Sequence, residues 1–349
     1  MTISPPPPLR IFDAASTAAA LPYGPLVEAL RAMMLRREAG RTLAPERLVI
    51  PLKEALGRPE LPSPPRGADR AEPGPGGPLK EALAGGTLLV MPATDGEYAS
   101  TKLVTVHAGN PQRGLPSLLG EVILMRAQDG VRLAMFDGPT LTARRTAALS
   151  VLGARTFAPA AKGPMLIVGA GAQARGHLEA FADVVGVSRV TIASRTLAKA
   201  EALAAHARAL GIDADATVDP MPALERSTII VTATTSLTPV FADRVREDAF
   251  IAAVGAYRPE MCELPAALLQ RSTVFVDDLA GARHEAGDLI QAGIDWERIH
   301  AIEEVLAGDV PTPTRSPIVF KTVGQALWDL AAARLGAGVD GGAVRAITR

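Results

Sequence analysis

The fold of the second half of this chain is decided by the segment Met165-Leu166-Ile167-Val168-Gly169-Ala170-Gly171-Ala172-Gln173-Ala174. An apolar run typical of a buried strand leads into a Gly-x-Gly-x-x-Ala turn, and a helix follows. The first glycine permits a tight turn, the second lets the backbone approach a diphosphate, and the alanine allows close packing of helix on strand. Free amides at the helix start favour an anion. The segment predicts a dinucleotide-binding Rossmann domain with these cofactor-binding residues: Gly169, Gly171, Ala172, Gln173 and Ala174.

The strand after this helix indicates which dinucleotide is preferred. It ends in Ser194-Arg195-Thr196, where an NAD-type site carries an acidic residue for the ribose 2′-hydroxyl. No acid stands there. Arg195 instead offers a planar cation suited to a 2′-phosphate, with Ser194 and Thr196 as further donors. The sequence therefore predicts NADPH as the cofactor, with NADH binding more weakly.

Short apolar runs alternate with helical stretches after Met165, which is the pattern of βαβ units around a parallel sheet. The predicted strands are Met165–Val168, Val190–Ala193, Thr228–Val231, Phe250–Val254 and Thr273–Val276. The Ala-rich stretch Leu197–Leu210 is predicted to be a crossover helix. Thr232 and Thr234 follow the third strand, and we expect both to contact the cofactor.

The first half of the chain has a different pattern. A predicted helix between Pro25 and Gly40 precedes strand-like runs, the last two of which flank a hairpin signal at Asp129-Gly130. The runs are Leu48–Leu52, Gly86–Met91, Lys102–Val106, Glu121–Arg126 and Val131–Phe136. The Pro- and Gly-rich segment Leu61–Pro78 is predicted to be a mobile surface loop, and Val323–Leu335 a helix that returns to this half. The fold class is therefore α/β, with a Rossmann NAD(P)-binding domain and a second α+β domain.

Composition and charge exclude several classes of protein. The 36 Lys and Arg residues against 37 Asp and Glu residues leave a net charge of −1, which gives no basic excess for nucleic acid or an anionic membrane. The single cysteine, Cys262, excludes an intramolecular disulfide and suits a reducing compartment. The five histidines show no metal-ligand spacing, and no run approaches the roughly 18 to 20 apolar residues of a membrane span. We expect a cytoplasmic protein with a small-molecule partner and no metal.

Three further motifs connect the chain to a known family. They are Thr101-Lys102-Leu-Val-Thr, then Asp137-Gly-Pro-Thr-Leu-Thr142-Ala-Arg144-Arg145-Thr146-Ala-Ala, and Phe320-Lys-Thr-Val-Gly-Gln-Ala-Leu. With the glycine-rich turn, they closely resemble the ornithine cyclodeaminase/mu-crystallin family over nearly the whole chain. The resemblance implies a homodimer. In it, residues 1–148 plus 317–349 bind substrate and pair the subunits, while residues 149–316 form the NADP-binding domain.

The resemblance also implies which residues bind the substrate. In the family, two arginines and a lysine clamp a carboxylate, and they match Arg47, Lys102 and Arg145 here. Lys102 is also the candidate catalytic residue, which would supply the imine proton directly or through a water, although a clamping role alone explains the same residue. Asn110, in a turn-rich loop, is expected at the substrate, and Thr146 beside the cofactor.

Two departures from the family pattern bear on the reaction. Tyr257 follows Gly255-Ala256 where cyclodeaminases carry an aspartate that manages water and ammonia, and Leu89-Val90-Met91-Pro92 lacks their glutamate for the distal amine. A carboxylate clamp, an NADPH site and an apolar wall fit a cyclic ketimine carboxylate instead. The resemblance therefore implies NADPH-dependent reduction of Δ1-pyrroline-2-carboxylate to L-proline and of Δ1-piperideine-2-carboxylate to L-pipecolate.

Other functions stay open on the sequence alone. One is a true ornithine cyclodeaminase, a lyase that recycles bound NAD, and another is a mu-crystallin-like protein that binds cofactor and ligand with little turnover. A dehydrogenase of open-chain amino acids would use the same clamp. Ring size also stays open, because one methylene changes affinity by only about 1 to 3 kcal/mol.

Overall fold

The computed structural model describes residues 7–52, 86–158, 162–311 and 316–339. The predicted loop Leu61–Pro78 lies outside the described residues. Within them, six strands form the first sheet, in the order β1-β6-β5-β4-β3-β2, with β1 parallel to β6 and the other pairs antiparallel. Their bounds are β1 Arg10–Phe12, β2 Leu48–Pro51, β3 Thr87–Thr94, β4 Tyr98–Val106, β5 Leu118–Arg126 and β6 Arg132–Asp137.

The second sheet is wholly parallel and contains eight strands in the described part of the chain, in the order β13-β12-β14-β11-β10-β7-β8-β9. Their bounds are β7 Met165–Val168, β8 Arg189–Ala193, β9 Asp213–Thr217, β10 Ile229–Thr232, β11 Phe250–Ala253, β12 Thr273–Val276, β13 His300–Ala301 and β14 Ile318–Lys321. The strand order reverses between β7 and β10, so a crevice opens there at the carboxyl ends of the strands. This sheet and the mainly antiparallel first sheet confirm the predicted fold class.

Helices cover both sheets. Those of the first half and the return segment are Ala14–Ala20, Tyr23–Glu38, Gly138–Phe157 and Ala326–Gly336. Those of the Rossmann domain are Ala172–Ala180, Leu197–Ala209, Met221–Leu224, Ala266–Arg271, Leu279–Glu285, Gly287–Gln291 and Ile302–Ala307. Among the described residues, no helix has the length and apolar character of a membrane-spanning segment.

The helix Gly138–Phe157 joins the two domains, because it packs on both sheets. Phe157 stacks on Phe275 of β12 with ring centroids 4.0 Å apart, and a Cβ added to Gly153 would lie 2.4 Å from the ring of Phe320. The expected domain boundary between residues 148 and 149 therefore falls inside a continuous helix.

The return to the first domain also begins later than the expected residue 317. Ile318–Lys321 pairs with β11 and β12, so this segment belongs to the second sheet. The last helix starts at Ala326 rather than at Val323, because Gly324 has φ +80° and the carboxylate of Asp277 accepts hydrogen bonds from the amides of both Val323 and Gly324. The helix then packs on β3, β4 and β5, as expected of a returning segment.

Candidate active site

A cavity of about 1050 Å³ lies between the first sheet and the carboxyl ends of the second sheet. Its wall on one side comes from β3 and β4, and on the other from the loops that follow β7, β8, β10, β11 and β14. Because this is the crevice at the point where the strand order reverses, it is the expected position of a dinucleotide in such a sheet.

The glycine-rich turn shapes one end of the cavity. Gly169 has φ +120°, and a Cβ there would lie 2.4 Å from the carbonyl oxygen of Ala233, so only glycine fits. Gly171 immediately precedes the helix that begins at Ala172, and a Cβ there would meet nothing within 4 Å. The backbone is thus open to the cavity where the helix amides point, which suits a diphosphate. Ala174 is fully buried behind the turn, in the packing role predicted for it.

The end of β8 presents hydrogen-bond donors and cations to the same cavity. Ser194, Arg195 and Thr196, which the sequence predicts at the cofactor, all line it. Lys199 lines it too and was not predicted. It lies in the first turn of the helix Leu197–Ala209, directly after the predicted residues at the end of β8, and this closeness in sequence was the available signal.

At the opposite end, Lys102 and Arg145 meet at a buried carboxylate that sequence analysis missed. Asp329, on the last helix, forms an ion pair with Lys102 Nζ at 2.7 Å and accepts a hydrogen bond from Arg145 Nε at 3.0 Å. All three side chains are at most 6% exposed. Sequence reasoning could have found Asp329, because it is the single acid within the otherwise apolar face of the helix Ala326–Gly336.

The three charges set one another's pKa values. Burial lowers the pKa of Lys102 to about 8, against the opposing effect of the Asp329 charge. Burial alone would raise the pKa of Asp329, but the charges of Lys102 and Arg145 outweigh it and hold that pKa below its usual value. Lys102 therefore titrates close to neutral pH while Asp329 stays ionised, which gives Lys102 an accessible proton.

Arg47 reaches the same cavity from the first domain and bonds to the loop after β14. Its Nη2 atom lies 2.7 Å from the carbonyl oxygen of Gly324 and 2.9 Å from Glu285 Oε2. Asp277 holds the other side of that loop through its amides. Burial raises the pKa of Glu285 to about 7, against the charge of Arg47. The three predicted clamp residues thus line one end of one cavity.

The remaining wall of this end is apolar. Leu89, Met91, Val104, Val106 and Leu118 line it. Among the described residues that line the cavity there is no aspartate or glutamate, whereas five cationic side chains do so: Arg47, Lys102, Arg145, Arg195 and Lys199. The cavity is therefore built for anionic groups, with an uncharged surface beside the clamp.

The structure places Asn110 outside this lining. It begins a short turn of 3-10 helix, and its amide donates to the carbonyl oxygen of Pro116 at 2.9 Å. This bond closes the loop between β4 and β5, and the predicted substrate contact of Asn110 stays a prediction. His107, from the same loop, packs its ring against the backbone of Gly86.

The threonines predicted at the cofactor differ in their positions. Thr146 lines the cavity, although its hydroxyl donates to the carbonyl oxygen of Thr142 within the same helix. Thr234 lines it as well, but its hydroxyl donates to Glu263. Thr232 is fully buried behind the lining and also donates to Glu263, which corrects its predicted cofactor contact.

Comparison with known proteins shows that the sequence of this chain is similar to those of named reductases. The chain is 39% identical over 329 residues to Delta(1)-pyrroline-2-carboxylate reductase 1 of Burkholderia multivorans, covering 93% of this chain and 94% of that protein. It is 38% identical over 333 residues to the Delta(1)-pyrroline-2-carboxylate/Delta(1)-piperideine-2-carboxylate reductase of Azospirillum brasilense, covering 94% of each.

A solved structure and a family model extend the comparison. The Delta(1)-pyrroline-2-carboxylate reductase of Thermococcus litoralis, in complex with NADH and L-proline, superposes with a TM-score of 0.80 at 25% identity. That match covers 96% of this chain and 98% of the other. The model of the ornithine cyclodeaminase/mu-crystallin family matches residues 75–336. This chain therefore belongs to the ornithine cyclodeaminase/mu-crystallin family.

Proposed function

We propose that this chain is a reductase that uses NADPH to reduce cyclic ketimine carboxylates, Δ1-pyrroline-2-carboxylate to L-proline and Δ1-piperideine-2-carboxylate to L-pipecolate. The observation that carries the proposal is the cavity lining, which in the described residues combines five cations, an apolar wall and no acid. Such a lining suits a substrate with a carboxylate and a hydrocarbon ring. The Azospirillum brasilense relative is named for both substrates and the Burkholderia multivorans relative for Δ1-pyrroline-2-carboxylate, which supports the proposal.

Substrate binding follows from the clamp. Arg145 is held by Asp329 through Nε, and its two Nη atoms face Gly324 at the cavity, in the planar arrangement that binds a carboxylate with two hydrogen bonds. Arg47 adds a second guanidinium from the other side of the same loop. The carboxylate is thereby oriented, and the ring lies against the apolar wall that includes Leu89 and Val104.

The reaction adds a hydride to the imine carbon and a proton to the imine nitrogen. The nicotinamide supplies the hydride when it is bound. Lys102 Nζ carries the proton, and with a pKa of about 8 it is mostly charged at neutral pH yet able to release that proton. Asp329 fixes the Nζ atom at 2.7 Å and stabilises its charge in a buried position. The residues thus bind the substrate and hold one proton beside it.

The lyase alternative lacks a suitable residue. A cyclodeaminase needs an acid that manages water and ammonia, and Tyr257, which stands at that position, is 44% exposed at the cavity. Leu89 supplies no charge for a distal ammonium. We therefore favour net reduction over redox-neutral ammonia release.

The choice of NADPH rests on the end of β8. Arg195 and Lys199 both line the cavity there, and the described lining carries no acid that would repel a 2′-phosphate or bind a free 2′-hydroxyl. Two cations, one just before the helix Leu197–Ala209 and one in its first turn, favour a dianionic phosphate over a neutral hydroxyl.

We also propose a homodimer formed through the outer face of the first sheet. Residues that alternate with the inward-facing Lys102 and Val122 point away from the helices, and several are large, apolar and exposed: Ile11 69%, Leu48 58%, Ile50 43% and Leu119 44%. A self-complementary apolar face of this kind suits a two-fold interface.

Light scattering is expected to give twice the chain mass of 36.3 kDa, and Ile123→Lys on the central strand should give monomers. A monomeric parent protein would refute this interface.

A substrate panel tests the proposed function. The purified protein is incubated with NADPH and, separately, with each cyclic ketimine carboxylate, with open-chain 2-oxo acids plus ammonia, and with ornithine plus NAD. Loss of NADPH absorbance with the cyclic ketimines alone is expected. Fast turnover of the open-chain mixtures would favour an amino-acid dehydrogenase, and ammonia release from ornithine would favour the lyase.

A further inference from the structure

A buried carboxylate outside the cavity lining connects the loops that follow two neighbouring strands of the second sheet. Glu263 is fully buried, and its two oxygens accept four hydrogen bonds. Oε1 accepts from the amide and the hydroxyl of Thr234 at 2.6 and 2.7 Å. Oε2 accepts from the hydroxyl of Thr232 at 2.9 Å and the amide of Gly255 at 2.7 Å. All four partners are donors, which is the arrangement that an ionised carboxylate satisfies.

Glu263 is itself held in place by a second buried pair. Asp288 Oδ1 accepts from the amides of Glu263 and Leu264 at 2.5 and 2.9 Å. Asp288 Oδ2 lies 3.1 Å from Lys321 Nζ at the end of β14, and neither side chain of this pair is exposed. Three successive strands, β10, β11 and β14, are therefore linked at their carboxyl ends by one charged network.

The linked loops form the part of the cavity that lies beyond the glycine-rich turn. Residues 233–236 after β10 and residues 254, 255 and 257 after β11 line it. The adenosine side of the crevice is marked by Arg195 at the end of β8, so the other half of a dinucleotide lies over β10 and β11. The two loops touch closely, since a Cβ on Gly255 would lie 2.3 Å from the carbonyl oxygen of Thr234 and 2.4 Å from Glu263 Oε1.

We infer that Glu263 is a positioning residue for the nicotinamide half of the cofactor. It fixes the spacing of the two loops through Thr232, Thr234 and Gly255, and does not touch the ligand itself. The hydroxyls of Thr232 and Thr234 both donate to this carboxylate, so these threonines stabilise the loop. This inference rests on a nicotinamide dinucleotide in the cavity and not on the identity of the substrate.

The substitution Glu263→Gln tests the inference, because it keeps the shape of the side chain and replaces one acceptor oxygen by an amide donor. Either orientation of the glutamine sets that donor against one backbone amide, which cannot accept, and makes one threonine hydroxyl turn from donor to acceptor. We expect the loops to move apart and the nicotinamide subsite to loosen. The diphosphate and 2′-phosphate subsites, built by the turn at Gly169 and by Arg195, should stay intact.

Calorimetric titration of the purified protein with two ligands separates these outcomes. The ligands are NADPH and 2′-phospho-ADP-ribose, which lacks the nicotinamide. Glu263→Gln is expected to weaken NADPH by about tenfold or more, the equivalent of about 1.4 kcal/mol, and the fragment by less than about twofold. Glu225→Gln, a surface glutamate paired with Arg244, is the matched control and should change neither affinity.

A second variant keeps the test decisive if Glu263→Gln does not fold. Thr232→Val removes one of the four donors with little change of shape, at a side chain that cannot reach the ligand because it is fully buried. It should cause a smaller loss that is again confined to NADPH. Equal losses for both ligands in the folded variants, or no loss for either, would overturn the positioning role. If the parent protein binds NADH and ADP-ribose better than the phosphorylated pair, the proposed preference for NADPH fails, and the same comparison is made with those two ligands.

Discussion

Asp329→Asn should convert the proposed proton donor into a neutral amine at physiological pH. The carboxylate lies 2.7 Å from Lys102 Nζ in a buried position, and an opposite charge at such a distance shifts a pKa by about 1 to 3 units. Taking two units, the pKa of Lys102 falls from about 8 to roughly 6. At about pH 7.5 the protonated fraction then drops from roughly three quarters to about 3%, a loss of about 25-fold.

The assay is the ratio of kcat/KM for the variant to that of the parent protein across pH, with Δ1-pyrroline-2-carboxylate as substrate. Taking the ratio cancels the protonation of the substrate itself. The ratio is expected to be near one twenty-fifth at about pH 7.5. It should approach one at about pH 5.5, where Lys102 is mostly charged in both the parent and the variant. Unfolding by urea should show a loss of about 3 to 5 kcal/mol, because Lys102 can release its proton but the buried Arg145 stays charged and loses its anionic partner.

Asp248→Asn is the matched control, since that aspartate is 60% exposed and paired with Arg246, and neither residue lines the cavity. It should leave the ratio at one across the pH range. A ratio for Asp329→Asn that is low but independent of pH would refute the reasoning, because Asp329 would then act on substrate geometry and not on the proton of Lys102.

Three further substitutions test other parts of the site. Arg145→Lys keeps the charge but loses the planar fork, so kcat/KM for the ketimine should fall by about tenfold or more. NADPH affinity, measured by fluorescence titration, should barely change. A collapse of NADPH binding would show that Arg145 belongs to the cofactor subsite. Arg195→Ala should weaken NADPH by roughly 1.5 to 3 kcal/mol in the same titration and leave NADH nearly unchanged, and equal losses would remove Arg195 from the phosphate subsite. Gly169→Ala places a Cβ 2.4 Å from the carbonyl oxygen of Ala233 at φ +120° and should destabilise the fold by about 1 to 3 kcal/mol in urea, whereas an unchanged midpoint would show that the turn relaxes freely.

Elements whose burial is uniform were the ones that the sequence predicted best. Met165–Val168 and Thr273–Val276 have the predicted bounds, because strands covered on both faces of a parallel sheet are continuous apolar runs that end abruptly at polar or glycine residues. Asp213–Thr217 was missed, since it lies at the sheet edge and alternates exposed aspartates with small residues. Its period of two was the available signal.

Contacts between residues that are far apart in the sequence could not be predicted from local patterns. Arg145 and Lys102 could be assigned to one cavity from their motifs, but the carboxylate that joins them is 184 residues from Arg145 along the chain. Glu263 lies in a stretch without regular structure, and its role depends on three strand ends that only the folded sheet brings together. A pattern of residue types predicts which face of an element is buried, whereas the pairing of buried charges requires the tertiary structure.

The most direct test of the account is the stoichiometry of one reaction. The protein is mixed with limiting Δ1-pyrroline-2-carboxylate and excess NADPH. The amount of NADPH consumed is compared with the amount of L-proline formed, which is measured by chiral chromatography. Equal amounts of NADPH oxidised and L-proline produced are expected. Tight NADPH binding without proline formation, at any pH at which Lys102 is charged, would contradict it and leave the chain a binding protein.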